Sequence, residues 1–97
     1  MAAYVIYNLT ELVDEKAMGD YVQKFNAMFG KYDGKVLAIA PDFDVLEGDW
    51  NAERVVIIEF ADMHALKRWH DADEYHPLIK LRQSAARGDM IALTGLG

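Results

Sequence analysis

The chain has no cysteine among its 97 residues, which excludes a disulfide framework and any thiolate metal site. Basic residues are few: 10 Lys and Arg stand against 16 Asp and Glu, a formal charge of −6. That balance argues against wrapping nucleic acid or lying on an anionic membrane. No apolar run approaches the roughly 18 residues of a membrane span. Met1-Ala2-Ala3-Tyr4 also lacks the basic segment of a secretory leader, so the expectation is a soluble, cytoplasmic protein. Repeats, low-complexity stretches and linkers are missing too, and residues 1–97 read as one domain. There is no nucleophile–base motif and no phosphate-cradling glycine loop.

What is present is an apolar excess, 53% of the chain. A domain this short buries only somewhat more than ~60% of its unfolded surface, so a partner chain is the natural stabiliser once disulfides are excluded. Residues 3–9 are apolar or aromatic on both period-2 faces and predict a strand buried on two sides. Met18, Tyr21, Val22, Phe25, Met28, Phe29 and Tyr32 follow helical spacing. They predict a helix from residue 14 or 15 to 32, with Asp14 as N-cap and Gly34 as stop. Strands are expected at 35–40, at 43–47 after the Pro41-Asp42 turn, and at 54–60, the most β-branched segment. Asp62 opens a helix carrying Met63, Leu66 and Trp69. Pro77 opens a second, with Leu78, Leu81 and Ala85 on its apolar edge and Gly88 as terminator, before a last strand at 89–94.

This order reduces to a ferredoxin-like βαββαβ plan, an α+β protomer with both helical layers on one face of an antiparallel sheet. Helices on one side do not explain why Val55 to Ile58, or Val5 and Ile6, are apolar on both sides. A sheet with one wet face alternates apolar with polar. The helix-free face therefore needs a cover that the chain lacks, and the expected partner is a second copy, sheet face to sheet face.

Leu46-Glu47-Gly48-Asp49-Trp50, then Arg54 with Val56, Glu59-Phe60, Trp69, Glu74-Tyr75 and Arg82, resemble a bacterial domain-of-unknown-function family, number thirteen-thirty, within the dimeric α+β barrel superfamily. The resemblance spans nearly the whole chain. It implies a ferredoxin-like protomer pairing into a barrel and supplies no catalytic residues. Related branches include cofactor-independent monooxygenases, haem-degrading enzymes, lactone isomerases and dehalogenase-like proteins, an analogy of fold rather than of site. Asn8 and Trp69 match two positions of the haem-degrading branch, but the iron-ligand position falls at Ile79, which has no donor atom. No cofactor is expected.

Metal binding is not expected either. His64 and His70 are separated by about 600° of helical rotation, and His76 precedes a helix-disturbing proline; a helical metal pair needs i, i+4 spacing. The charges set in apolar surroundings are Glu47, Glu59, Arg54 and Arg82. Glu59 lies in register with Val55 and Ile57, which predicts a carboxylate on a covered sheet face that must be paired or protonated. As catalytic residues, Glu59 or Glu47 would be the general base and Arg82 would hold the developing anion; as structural ones they would form Arg–Glu pairs within or between protomers. Tyr7, Asn8, Trp50, Arg54, Trp69 and Tyr75 are the candidate substrate-binding residues, in a cleft between sheet and helices; Trp69 also fits simple core packing. The function expected is that of a small-molecule-handling protein, a cofactor-independent enzyme of acid–base isomerase or monooxygenase type acting on a small apolar organic ligand. The alternatives stay open: a non-catalytic ligand-binding or accessory protein, or a structural homodimer with no ligand.

Overall fold

The computed structural model describes all residues, 1–97. Its elements are β1 (Ala3–Leu12), α1 (Glu15–Phe29), a 3-10 turn (Gly30–Tyr32), β2 (Lys35–Ala40), β3 (Arg54–Phe60), α2 (Met63–His70), α3 (His76–Ala85) and β4 (Ala86–Thr94). The four strands form one sheet in the order β2-β3-β1-β4, and every neighbouring pair is antiparallel. This is the ferredoxin-like βαββαβ plan, with the second helical unit split into α2 and α3.

Side-chain capping starts two of the helices. Asp14 accepts a hydrogen bond from the Ala17 N–H at 3.1 Å, and Asp62 accepts one from Ala65 at 2.8 Å, each satisfying a backbone donor that the first helical turn leaves free. At the far end, the helix expected to residue 32 is α-helical only as far as Phe29. It tightens into the 3-10 turn, and Asp33 takes the left-handed conformation at φ 58°. Gly34 is needed for room instead: a Cβ there would lie 2.7 Å from the Phe60 ring.

Four expectations are corrected. Residues 43–47 form no strand; β2 pairs directly with β3, and residues 41–51 are an exposed connection that turns at Gly48, φ +78°. The outer edge of β2 stays unpaired, so the 41–51 segment takes no ladder hydrogen bonds and its apolar side chains alone do not make a strand. The last strand begins at Ala86 rather than 89, because Ala86 and Arg87 pair with Leu12 and Glu11. Gly88 consequently terminates no helix. It lies inside β4, where a Cβ would press on the Tyr7 ring at 2.8 Å. The first strand also runs past residue 9 to Leu12, with an irregularity between Leu9 and Glu11.

The sheet has two unlike faces. Ala3, Val5, Tyr7 and Leu9 of β1 are buried, with Ile58 and Phe60 of β3, under the helices. Tyr4, Ile6 and Asn8 point the other way, opposite Glu59, Ile57 and Val55. No element of the chain layers over that second face beyond the 41–53 connection at one end. Its β4 residues Ile91 and Leu93 are 55% and 37% exposed. The main core is aromatic: Trp69 packs on Phe60 with centroids 5.5 Å apart and on Tyr75 at 4.5 Å, and it meets the Phe29 ring edge-on.

Candidate ligand cleft between sheet and helices

Between α1 and the sheet lies a cleft of about 260 Å³, just below the roughly 300–1,000 Å³ usual for ligand pockets. Its floor is Tyr7, Leu9, Val56, Ile58 and Met90. Its roof is Met18, Tyr21 and Phe25 of α1, and Trp69, Tyr75 and Arg82 close one end. Each polar member arrives there by helical or strand spacing. Tyr7 belongs to the inward set of β1. Trp69 follows Leu66 at i+3, and these two are the buried residues of α2. Arg82 stands between Leu78 and Ala85 at i+4 and i−3, the three buried residues of α3.

Arg82 is 8% exposed and is the chain's one buried charged residue. No carboxylate lies within ion-pair distance of it; the five ion pairs of the molecule involve other residues. Its guanidinium carbon sits 5.0 Å from the centre of the Tyr7 ring, a cation–π contact. The Arg82 Nε, the Tyr7 hydroxyl and the Trp69 Nε1 are all buried without a hydrogen-bond partner. Nearby, the Tyr21 and Tyr75 hydroxyls share a 2.7 Å hydrogen bond.

The electrostatics follow from this burial. Desolvation, followed by the neighbouring Tyr75, drives the Tyr21 phenol well above the ordinary tyrosine range. Desolvation also raises Tyr75, partly countered by its hydrogen bond with Tyr21 and by Arg82. Burial works against the charge on Arg82, but the oxygens of Tyr75, Tyr21 and Tyr7 outweigh it and hold the guanidinium above its ordinary value. Both bonded tyrosines are thus neutral at physiological pH, hydrogen-bond donors rather than proton acceptors, beside a permanent positive charge.

Of the residues read from the sequence, Tyr7, Arg54, Trp69, Tyr75 and Arg82 share this cleft. Asn8 does not: strand alternation puts it on the helix-free face, with its Oδ1 buried and unpartnered. Trp50, half exposed in the 41–53 connection, lies with Glu47 in a separate hollow of about 500 Å³ over the helix-free face, against Ala38, Val55 and Ile57. Glu59 is on that face as well, accepting a 3.2 Å hydrogen bond from the Tyr4 hydroxyl. The expected partnership of Glu59 or Glu47 with Arg82 is therefore not formed, because the sheet separates them, and no carboxylate lines the cleft. No Arg–Glu pair within the chain involves Glu59, Glu47, Arg54 or Arg82 either. Tyr21, read from the sequence only as helix core, is the added member. Its signal is a polar tip inside the Met18–Phe25 apolar stripe. No group of three or more His, Asp or Glu side chains is arranged to hold a metal ion.

Residues 2–96 match the model of a family described as a domain of unknown function, DUF1330. The chain belongs to that family. No curated protein matches it. Among solved structures, a protein of unknown function from Rhodopseudomonas palustris superposes with a TM-score of 0.76 at 19% identity, over 99% of this chain and 83% of its own. A dimeric ferredoxin-like protein of unknown function from Jannaschia sp. CCS1 gives 0.70 at 13% identity, over 98% and 100%. SnoaB, a cofactor-independent oxygenase from Streptomyces nogalater, gives 0.69 at 14% identity, over 99% and 94%. At these identities the likeness establishes the shared fold. The DUF1330 chain has no helix long and apolar enough to cross a membrane.

Proposed function

We propose that this DUF1330 protein binds a small, mostly apolar organic molecule with one acidic oxygen in the cleft between sheet and helices, and that it works as a homodimer joined through its helix-free sheet faces. The observation that carries this reading is Arg82, a buried guanidinium with no carboxylate partner. The tyrosine oxygens and the Tyr7 ring hold the charge in place without neutralising it, and an anionic ligand oxygen is the counter-charge the cleft lacks. Tyr7 and Trp69 offer further unpartnered polar atoms at the same end, while the apolar floor and roof exclude water and strengthen each interaction.

The chemistry open to such a site is stabilisation of an oxyanion. Arg82 supplies the charge, and the neutral Tyr21–Tyr75 pair supplies a proton donor beside it. Phenols, enolisable ketones and aromatic carboxylates are the compounds whose own acidity provides the anion. The SnoaB scaffold shows that this fold can support cofactor-independent chemistry in another protein. For this chain the same class of reaction, without a bound cofactor, is our reading of the enzyme alternative. The absence of any carboxylate or imidazole from the cleft favours the second reading, a binding protein without turnover, wherever the ligand is not acidic enough to lose its own proton.

Naphthoate is a suitable probe, with Trp69 fluorescence as the signal. Wild type is expected to bind it, and Arg82→Met to lose at least about tenfold in affinity, the scale of one charge-assisted hydrogen bond. Unchanged affinity in a folded Arg82→Met protein overturns the reading.

A further inference from the structure

A second cavity, about 440 Å³, lies on the β4 side of Arg82. Arg82 and Met90 line both this cavity and the cleft, so the two hollows share one wall. Their chemistry differs. The cleft is almost wholly apolar around its aromatic rings, whereas the second cavity exposes Lys67, His70, Asp71 and Gln83. Within that polar set Asp71 already faces His70, with Oδ1 3.7 Å from Nδ1, and Lys67 enters no ion pair. Of the charges available to an incoming group, Lys67 and Arg82 are positive and have no carboxylate partner.

Building on the cleft reading above, we infer that the two cavities are halves of one site for an amphiphilic acid. The apolar body lies against Tyr7, Phe25 and Trp69, an oxygen meets Arg82 at the shared wall, and a flexible tail ending in an anion passes Met90 to reach Lys67. This arrangement accounts for a buried arginine reaching two cavities at once. A ligand confined to the cleft would use only one side of it. The substrate class is thereby narrowed from any small acid to an aromatic acid with a second acidic group on a side chain.

The test compares 2-naphthoate with two tailed conjugates, 3-(carboxymethoxy)-2-naphthoate and 3-(3-carboxypropoxy)-2-naphthoate, which keep the ring carboxylate for Arg82 and add a second carboxylate on progressively longer tails, in wild type and in the exposed-surface variants Lys67→Gln and Gln83→Glu. At least one conjugate is expected to bind wild type about fivefold more tightly than naphthoate, the scale of one partly exposed ion pair. That advantage is expected to vanish in both variants while naphthoate itself binds them as it binds wild type. Equal or weaker binding of both conjugates to wild type, or an advantage that survives Lys67→Gln, overturns the two-part site and leaves the cleft reading standing. Failure of naphthoate and of both conjugates to bind wild type overturns both.

Discussion

Arg82 shows how much a single side chain depends on its surroundings. In sequence it is one of several arginines beside apolar residues; in the fold it stands over the Tyr7 ring, 8% exposed and without a carboxylate. The tyrosines around it carry a pH signature. Burial raises Tyr21 and Tyr75 above their unfolded values, so the folded state holds those protons longer than the unfolded state does. Below the ordinary tyrosine range, about pH 10, both states are protonated and the pair leaves stability independent of pH. Above it the unfolded chain ionises first and binds fewer protons, so stability falls as pH rises. Urea unfolding from about pH 8 to about pH 11.5, spanning that value, is expected to show a flat region and then a decline, and Tyr21→Phe is expected to flatten that decline. A decline unchanged in Tyr21→Phe would mean that other tyrosines are responsible.

At the scale of elements, α2 links capping to the cleft. Asp62 fixes its start through the hydrogen bond from Ala65, and seven residues later Trp69 closes the cleft. Asp62→Ala is expected to cost about 1 kcal/mol of stability by urea unfolding, with Trp69 remaining buried; Asp62→Asn, which keeps a capping oxygen, is expected to recover most of it. The 41–53 connection makes the opposite point. Phe43, Val45 and Leu46 have the apolar content of a strand, yet Leu46 is 91% exposed. Apolar residues that pair with no neighbouring backbone form a loop: β2 takes β3 as its one partner, and its outer edge is left unpaired by the connection.

For the whole molecule, the helix-free face is the dominant unsatisfied surface. Ile6, Val55, Ile57, Ile91 and Leu93 share it in adjacent register, a continuous apolar patch of the kind that marks association. In the proposed homodimer that patch is covered by a second copy. Sedimentation equilibrium is expected to give twice the chain mass for wild type. Ile91→Lys, a change at a residue 55% exposed in the single chain, is expected to shift the mass to that of one chain with the helical signal retained. A wild-type monomer at low micromolar concentration would sink the dimer.

Local patterns alone were enough to place most elements: the period-2 runs of β1 and β3, the helical stripe of α1, and the caps Asp14 and Asp62 are short-range effects that act within a few residues of chain. The fold class followed from their order, and the need for a cover from the apolar residues on both sides of the central strands. The site was only half legible. Tyr7, Trp69, Tyr75 and Arg82 carried a signal, a polar group inside an apolar stripe, but the side of the sheet on which each charge falls is a matter of pairing between segments far apart in sequence. Register set Glu59 beside Tyr4 on the helix-free face, and α3 packing set Arg82 on the other. The sheet between them is what turned an expected acid–base pair into a buried cation with no carboxylate partner.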